Sequence, residues 1–264
     1  RKEYGVVTMS LSPKALREQI RNQSFNRPTS GVCGEFVQAN VVILPKEEAF
    51  DFFLFAFRNP KSCPLIDVLS PGETESLLAE GSDIRTDVPK YRIYRDGQLT
   101  EEVSSIESYW EDHFVTFLIG CSFTFEQSLI DADIPLRHIE ENKNVAMFTT
   151  NIETESAGNL HGPLVVSMRP IKNDLIQKAS EITAQFPNMH GAPVHIGDPS
   201  EIGIDDIQQP DFGDPDNEQR VFWACGVTPQ MAAITGKIPF MITHSPGHMF
   251  VTDVTNQEFL TQNK

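Results

Sequence analysis

The stretch VFWACGVTPQMAAITGKIPFMITHSPGHMFVTD, residues 221–253, decides the reading of the fold. Its opening apolar run, 221–224, is closed by Cys225 and Gly226 and has the length and composition of a buried strand. Thr228–Pro229–Gln230 then marks a helix start. Thr228 is the expected cap, and proline suits the first helical position because its missing N–H is unpaired there anyway. The helix is expected to run to Gly236, with further strands at 238–243 and 249–254. Between those strands lies His244–Ser245–Pro246–Gly247–His248. A thiol at a strand end, N–H groups at a helix start and two histidines on an adjoining loop are the components of a small-molecule site.

The same pattern occurs earlier in the chain. CSFTFEQSLIDADIP (121–135) lies on CGVTPQMAAITGKIP (225–239) without a gap. Cys121 falls on Cys225, Thr124 on Thr228, Glu126 on Gln230 and Pro135 on Pro239, and an apolar strand precedes each cysteine. Read as internal pseudo-symmetry, the echo places two thiols and two helix starts around one cleft. Read blandly, it is capping chemistry shared by two strand–turn–helix units.

Working outward, 264 residues suffice for one large core or two modest ones. The composition, 39% apolar and 22% charged, is that of an ordinary globular protein. A net charge of −16 argues against nucleic acid and anionic membrane as partners, although local arginines can still hold an anionic substrate. No apolar run approaches the roughly 20 residues of a membrane helix. The first ten residues lack an apolar signal core, and Arg1 in place of Met is read as a clipped or tag-derived end. Four scattered cysteines without a C-x-x-C suggest reduced thiols and a cytoplasmic location.

Helices are expected at 11–21, with Ser12 as cap, and at 46–58, where Phe50, Phe53 and Phe57 form a face assigned to core packing. Tyr91–Arg92–Ile93–Tyr94, an Asp96–Gly97 turn and the run 99–103 make a hairpin. Further helices are expected at 106–112, 124–131 and 173–185, and strands at 114–119 and 164–168. The run 186–214 is rich in Gly, Pro, His and Asp, and a loop of that length is usually functional. The expected class is α/β: a three-layer sandwich core over 11–67 and 113–264, with a smaller two-layer subdomain around 68–112.

Eight segments together identify a resemblance: FVQANVVILP (36–45), DIRTDVPKYRIY (83–94), FLIGCSFTFE (117–126), GPLVVSMRP (162–170), HGAPVHIGDP (190–199), IGIDDIQQPDFGD (202–214), FWACGVTPQ (222–230) and ITHSPGHMFVTD (242–253). The chain resembles the D-glutamate cyclase family from about Thr29 to Asp253, departing at Gly34–Glu35, where the family's first loop has Pro-Gly. The resemblance implies a two-part α/β architecture and a hydro-lyase that converts D-glutamate to 5-oxo-D-proline and water. It supplies no catalytic assignment, so candidate residues come from the chemistry.

Ring closure needs a base for the amine, an acid for the departing oxygen, donors for the oxyanion and a cation for the α-carboxylate. Arg85, between Asp83 and Asp87, and Arg169, at a strand end, are the carboxylate candidates, each equally readable as a structural ion pair. His190, His195, His244 and His248 lie in Gly/Pro-rich segments and are the acid–base candidates, with Asp211 and Asp214 to orient them. Cys121 and Cys225 at helix starts are candidates for lowered thiol pKa values. Ser122, Thr228 and the N–H groups at 122–124 and 226–228 are the oxyanion candidates. The expected partner is a small carboxylate with no cofactor, and a homo-oligomer is an option.

Three rivals remain at this point: a two-cysteine racemase or epimerase, a metal-dependent hydro-lyase using His195, His244, His248 and Asp253, and a non-catalytic binder of small acids. Deuterium entry at Cα, elemental analysis and calorimetry with recovery of unchanged ligand separate them. No P-loop, GxGxxG or nucleophile-elbow motif is present.

Overall fold

The computed structural model describes residues 11–205 and 218–262, so Asp211 and Asp214 lie outside the described residues. Helix α1 (Pro13–Arg21) is capped by Ser12, whose hydroxyl accepts from the Ala15 N–H at 3.2 Å. Strand β1 (Phe36–Pro45) leads directly into α2 (Lys46–Arg58), followed by β2 (Leu65–Leu69). Strands β3 (Tyr91–Arg95) and β4 (Gln98–Val103) form the expected hairpin, with both turn residues, Asp96 and Gly97, at positive φ. Next come β5 (Phe114–Gly120), α3 (Phe123–Asp131), the short α4 (Arg137–Glu140), β6 (Ala146–Glu153), β7 (Pro163–Lys172) and α5 (Ile176–Ala184). The short β8 (His195–Ile196) follows, then β9 (Glu218–Ala224), α6 (Thr228–Gly236), β10 (Phe240–His244), β11 (Phe250–Thr255) and α7 (Asn256–Gln262). The segment expected to be helical at 106–112 forms only a single 3₁₀ turn, Glu107–Tyr109.

The class is mixed α/β, and the named strand pairs in both sheets are antiparallel. The larger sheet runs β2-β5-β1-β10-β3-β4, with β11 also on β1; the smaller runs β6-β7-β9-β8. Strand β1 is central, and its two faces enter two cores. Val42 and Leu44 pack with α2, α6 and the Val115–Phe117–Ile119 side of β5, whereas Val41 and Ile43 pack against Leu69, Ala79, Ile84, Val88 and Ile106. The segment 68–112 thus places its hairpin in the larger sheet and its turns over one face of that sheet. Helices α3 and α5 bridge the sheets, burying Phe125, Leu129 and Ala179 with Val37 of β1 and Val221 and Trp223 of β9.

The aromatic face of α2 is a correction. Phe52 and Phe55 are fully buried, while Phe50, Phe53 and Phe57 are 72%, 47% and 73% exposed. Five phenylalanines and a leucine in 13 residues make the helix apolar around most of its circumference, so periodicity alone does not select the core side. The sheet selects the side where small Ala56 lets the helix approach closely.

The internal echo extends beyond its two segments. Each cysteine ends a strand, β5 or β9, and is followed by a helix, α3 or α6. The two threonines do not cap these helices, as had been expected of Thr228; both lie within the first turn. Thr124 Oγ1 instead accepts the Gln38 N–H of β1 at 3.1 Å, and Thr228 Oγ1 accepts the Val165 N–H of β7 at 3.1 Å. Strand β1 is the antiparallel neighbour of β5, and β7 that of β9. Each unit therefore comprises two antiparallel strands, a cysteine, a helix and a threonine that ties the helix to the second strand.

Candidate functional site

The two units meet at their cysteines. Cys225 lies within electrostatic range of both Cys121 and Cys63. Close backbone approach accounts for the glycine beside each thiol. A Cβ on Gly226 would sit 2.1 Å from Asn40 Nδ2, and one on Gly120 would sit 1.8 Å from the Asn188 carbonyl oxygen. Asn40 in turn donates to the Gly120 carbonyl at 2.8 Å. Met249, Phe123 and Val145 pack against Cys121. The expected lowering of the thiol pKa values is not found. Burial pushes Cys121 far above the ordinary thiol range and Cys225 up to about 11, despite Arg169 pulling the other way.

Arg169 of β7 is completely buried beside them, its guanidinium 5.4 Å from the ring centroids of both Phe125 and Trp223. All three of its nitrogens are hydrogen-bonded. Nη2 reaches Glu126 Oε1 at 2.6 Å and Ser122 Oγ at 3.0 Å; Nε reaches the same carboxylate oxygen at 3.1 Å, and Nη1 reaches Ser167 Oγ at 3.1 Å. Glu126, the third residue from the start of the echo's threonine, is also bound by His138 Nε2 at 2.8 Å and by Ser30 Oγ at 3.3 Å. Burial works to raise the Glu126 pKa, but Arg169 and His138 together outweigh it, so the carboxyl is held below its ordinary value. The result is a buried chain, arginine–carboxylate–imidazole, in which His138 is the member nearest solvent, its side chain 9% exposed. Among the described residues, His138 Nδ1 has no hydrogen-bond partner, and neither do the N–H groups of Ser122 and Gly226, the first after each thiol.

The other candidates are placed elsewhere or are tied down. His190, at φ 76°, bonds the Lys61 carbonyl through Nδ1 at 2.8 Å, and burial drives its pKa down to about 4. His244 lies where β10 and β11 diverge along β1 and turns its Nδ1 onto the Val41 N–H at 3.1 Å. Its Nε2 has no partner among the described residues, and burial lowers its pKa to about 4. His248 bonds the Pro246 carbonyl at 3.1 Å, and burial lowers it too. His195 bonds the Asp198 carbonyl at 2.7 Å and rests on Phe222. Arg85 is paired with Asp83 at 2.7 Å in the turn ahead of β3. Asp253 is held by Arg17 at 2.8 Å, which takes it out of the expected metal set with His195, His244 and His248. Among the described residues, no three His, Cys, Asp or Glu side chains are grouped as metal ligands.

Glu126 and His138 were not among the candidates the sequence offered. A signal for Glu126 was present, since it stands where the echo has Gln230. His138 follows the Pro135 turn on α4, outside the Gly/Pro-rich loops that singled out the other histidines.

The model of the D-glutamate cyclase family matches residues 115–253, more than half of the chain, taking in the second unit and, of the first, β5 and α3 but not β1. A protein of Thermoanaerobacter sp. (strain X514) named "Putative hydro-lyase" is 56% identical over 253 residues, covering 94% of this chain and 96% of its own length. One of Psychrobacter arcticus with the same name is 55% identical, covering 94% and 97%. The Bacillus subtilis protein named "Putative hydro-lyase YcsI" is 54% identical, covering 94% and 98%. No described helix is long and apolar enough to cross a membrane. On the family match and these full-length identities, the chain belongs to the D-glutamate cyclase family.

Proposed function

We propose that this chain is a hydro-lyase that closes D-glutamate to 5-oxo-D-proline, with His138 as the proton carrier. The observation that carries the reading is the His138–Glu126–Arg169 chain, joined through Ser122 Oγ to the start of α3. A carboxylate-held imidazole with a free second nitrogen can take a proton at one step and return it at the next. In the proposed reaction, neutral His138 accepts a proton from the α-ammonium group, and the freed amine attacks the γ-carboxyl carbon. The C–N bond forms, and the Ser122 and Gly226 N–H groups hold the oxyanion. As the C–O bond breaks, the protons lost by nitrogen leave on the departing oxygen as water. Glu126 and Arg169 are positioning residues here: the arginine fixes the carboxylate, and the carboxylate fixes the ring. Arg169, fully buried and already paired with Glu126, is not assigned to the substrate carboxylate.

The family match and the hydro-lyase names of the relatives support the reaction class. A two-thiol racemase would need a thiolate near neutral pH, which burial of both cysteines opposes. The test is to incubate purified protein with D- and L-glutamate and follow 5-oxoproline by chiral chromatography. Product from the D-enantiomer is expected, falling about 10²–10⁴-fold in His138→Gln, as for loss of a general acid–base. Glu126→Gln should shift the pH profile rather than only lower the rate. No product from either enantiomer, or full activity in folded His138→Gln, rejects the assignment.

A further inference from the structure

We infer that the outer face of α2 is an interface between two copies of this chain, paired antiparallel about a two-fold axis. Phe50, Phe53 and Phe57 recur at helical spacing on one stripe and are the most exposed aromatic rings of the helix. At roughly 200 Å² per side chain, they present about 400 Å² of aromatic surface, a size typical of functional patches on a monomer. Beside the stripe lies an apolar groove of about 890 Å³, walled by Phe53, Phe57, Pro60, Leu65, Ala184 and Pro187. Phe50 is not part of that wall; it projects one end of the stripe beyond the groove.

A second copy fits both features at once. Antiparallel pairing centred near Phe53 sets Phe50 of each chain against Phe57 of the other, at the mouth of the groove. Each chain then supplies one knob and one hole, as a self-complementary two-fold interface requires. Two stripes remove about 800 Å² from water, and the groove walls extend this toward the roughly 1,200 Å² at which stable interfaces begin. The charges agree with the direction. Glu47 opens the helix and Arg58 closes it on the same flank. Under a two-fold axis normal to the pair, Glu47 of one copy comes beside Arg58 of the other at both ends. Within its own chain and among the described residues, Glu47 pairs only with His113, at 4.0 Å, and Arg58 keeps one nitrogen on the Ser156 carbonyl. A parallel pairing would instead leave these charges on opposite flanks of the pair, with no opposite charge across from them. In a chain of net charge −16, generic self-association is disfavoured, so a specific patch is needed to bring two copies together.

Sedimentation equilibrium across a concentration series is the test. The wild-type chain is expected to be dimeric at micromolar concentration, and Phe50→Glu to be monomeric with an unchanged circular dichroism spectrum. Glu47→Lys and Arg58→Glu should each weaken association at least tenfold, and the two combined in one chain should restore it, since the pairs are re-formed with signs exchanged. A monomeric wild type overturns the inference. So does a dimer untouched by Phe50→Glu, or a double charge variant no tighter than the single ones.

Discussion

Replacing Glu126 by glutamine should cost this protein far more than a surface charge would. The guanidinium of Arg169 is completely buried and has Glu126 as its only carboxylate partner among the described residues. Glutamine preserves the shape and one acceptor but leaves a cation in the interior without a counter-charge. Breaking one side of a buried pair costs about 3–5 kcal/mol. At about 2–4 °C per kcal/mol for a chain of this size, the melting temperature should fall by roughly 6–20 °C. Removing both charges, in Glu126→Gln with Arg169→Met, should recover most of the loss, because no isolated charge then remains. The sign of the pH dependence is fixed by Glu126, whose folded-state pKa lies below the ordinary 4.5. Such a group adds stability above its unfolded pKa and loses it as pH falls through the folded value. The gap between wild type and Glu126→Gln should therefore be widest near neutrality and narrow as pH falls from 4.5 toward the lower folded-state value, because the unfolded chain takes up a proton that the folded carboxyl has not yet bound. Urea titration followed by Trp223 fluorescence reads this directly, since that indole packs against the guanidinium. A loss under about 1 kcal/mol at pH 7, below the range for breaking a buried pair, or a double variant no better than the single one, would refute the reasoning.

Two further outcomes follow from burial. His190 and His244, both lowered to about 4, stay neutral in the fold while the unfolded chain takes up their protons, so stability should decline as pH falls from 6.5 toward 4. The slope is at most about 1.4 kcal/mol per pH unit for each; His190→Asn and His244→Asn should each flatten it, and imidazole NMR signals titrating near 6.5 would contradict the assignment. Cys63, Cys121 and Cys225, all pushed up by burial, should resist a thiol reagent at pH 8 until denaturant is added. Peptide mapping that finds Cys121 alkylated in the native protein would reopen thiolate chemistry.

Much of this architecture can be read from local sequence. The Ser12 cap, the Asp96–Gly97 turn and the strand–cysteine–helix echo are each set by residues a few positions apart, and each forms as expected. What could not be read depends on distant partners. Arg169 and Glu126 are 43 residues apart, so the sequence shows two charged residues and not the buried pair. The loop histidines drew attention because Gly and Pro surround them; in the fold His190, His195 and His248 each bond a backbone carbonyl through one ring nitrogen, contacts that local sequence does not show. The inverted face of α2 has a different origin, since a helix with aromatic residues on most sides carries no internal mark of which stripe the sheet will cover.

The echo also explains why chemistry is assigned to one unit and not to both. Glu126 and Gln230 occupy matching positions on matching helices, and both are buried. Gln230 donates to the His244 carbonyl at 3.0 Å and accepts from the Tyr94 hydroxyl at 3.1 Å, so its neutral amide is satisfied by fixed groups of β10 and β3. A charge there would face no cation among these partners. Glu126 faces Arg169 on one side and a titratable imidazole on the other. The same scaffold position thus holds a neutral amide among fixed polar groups in the second unit and a carboxylate between a guanidinium and an imidazole in the first. Of the two matching positions, Glu126 alone is bonded to both a guanidinium and an imidazole, which is why the proposed function gives the proton to His138 of the first unit.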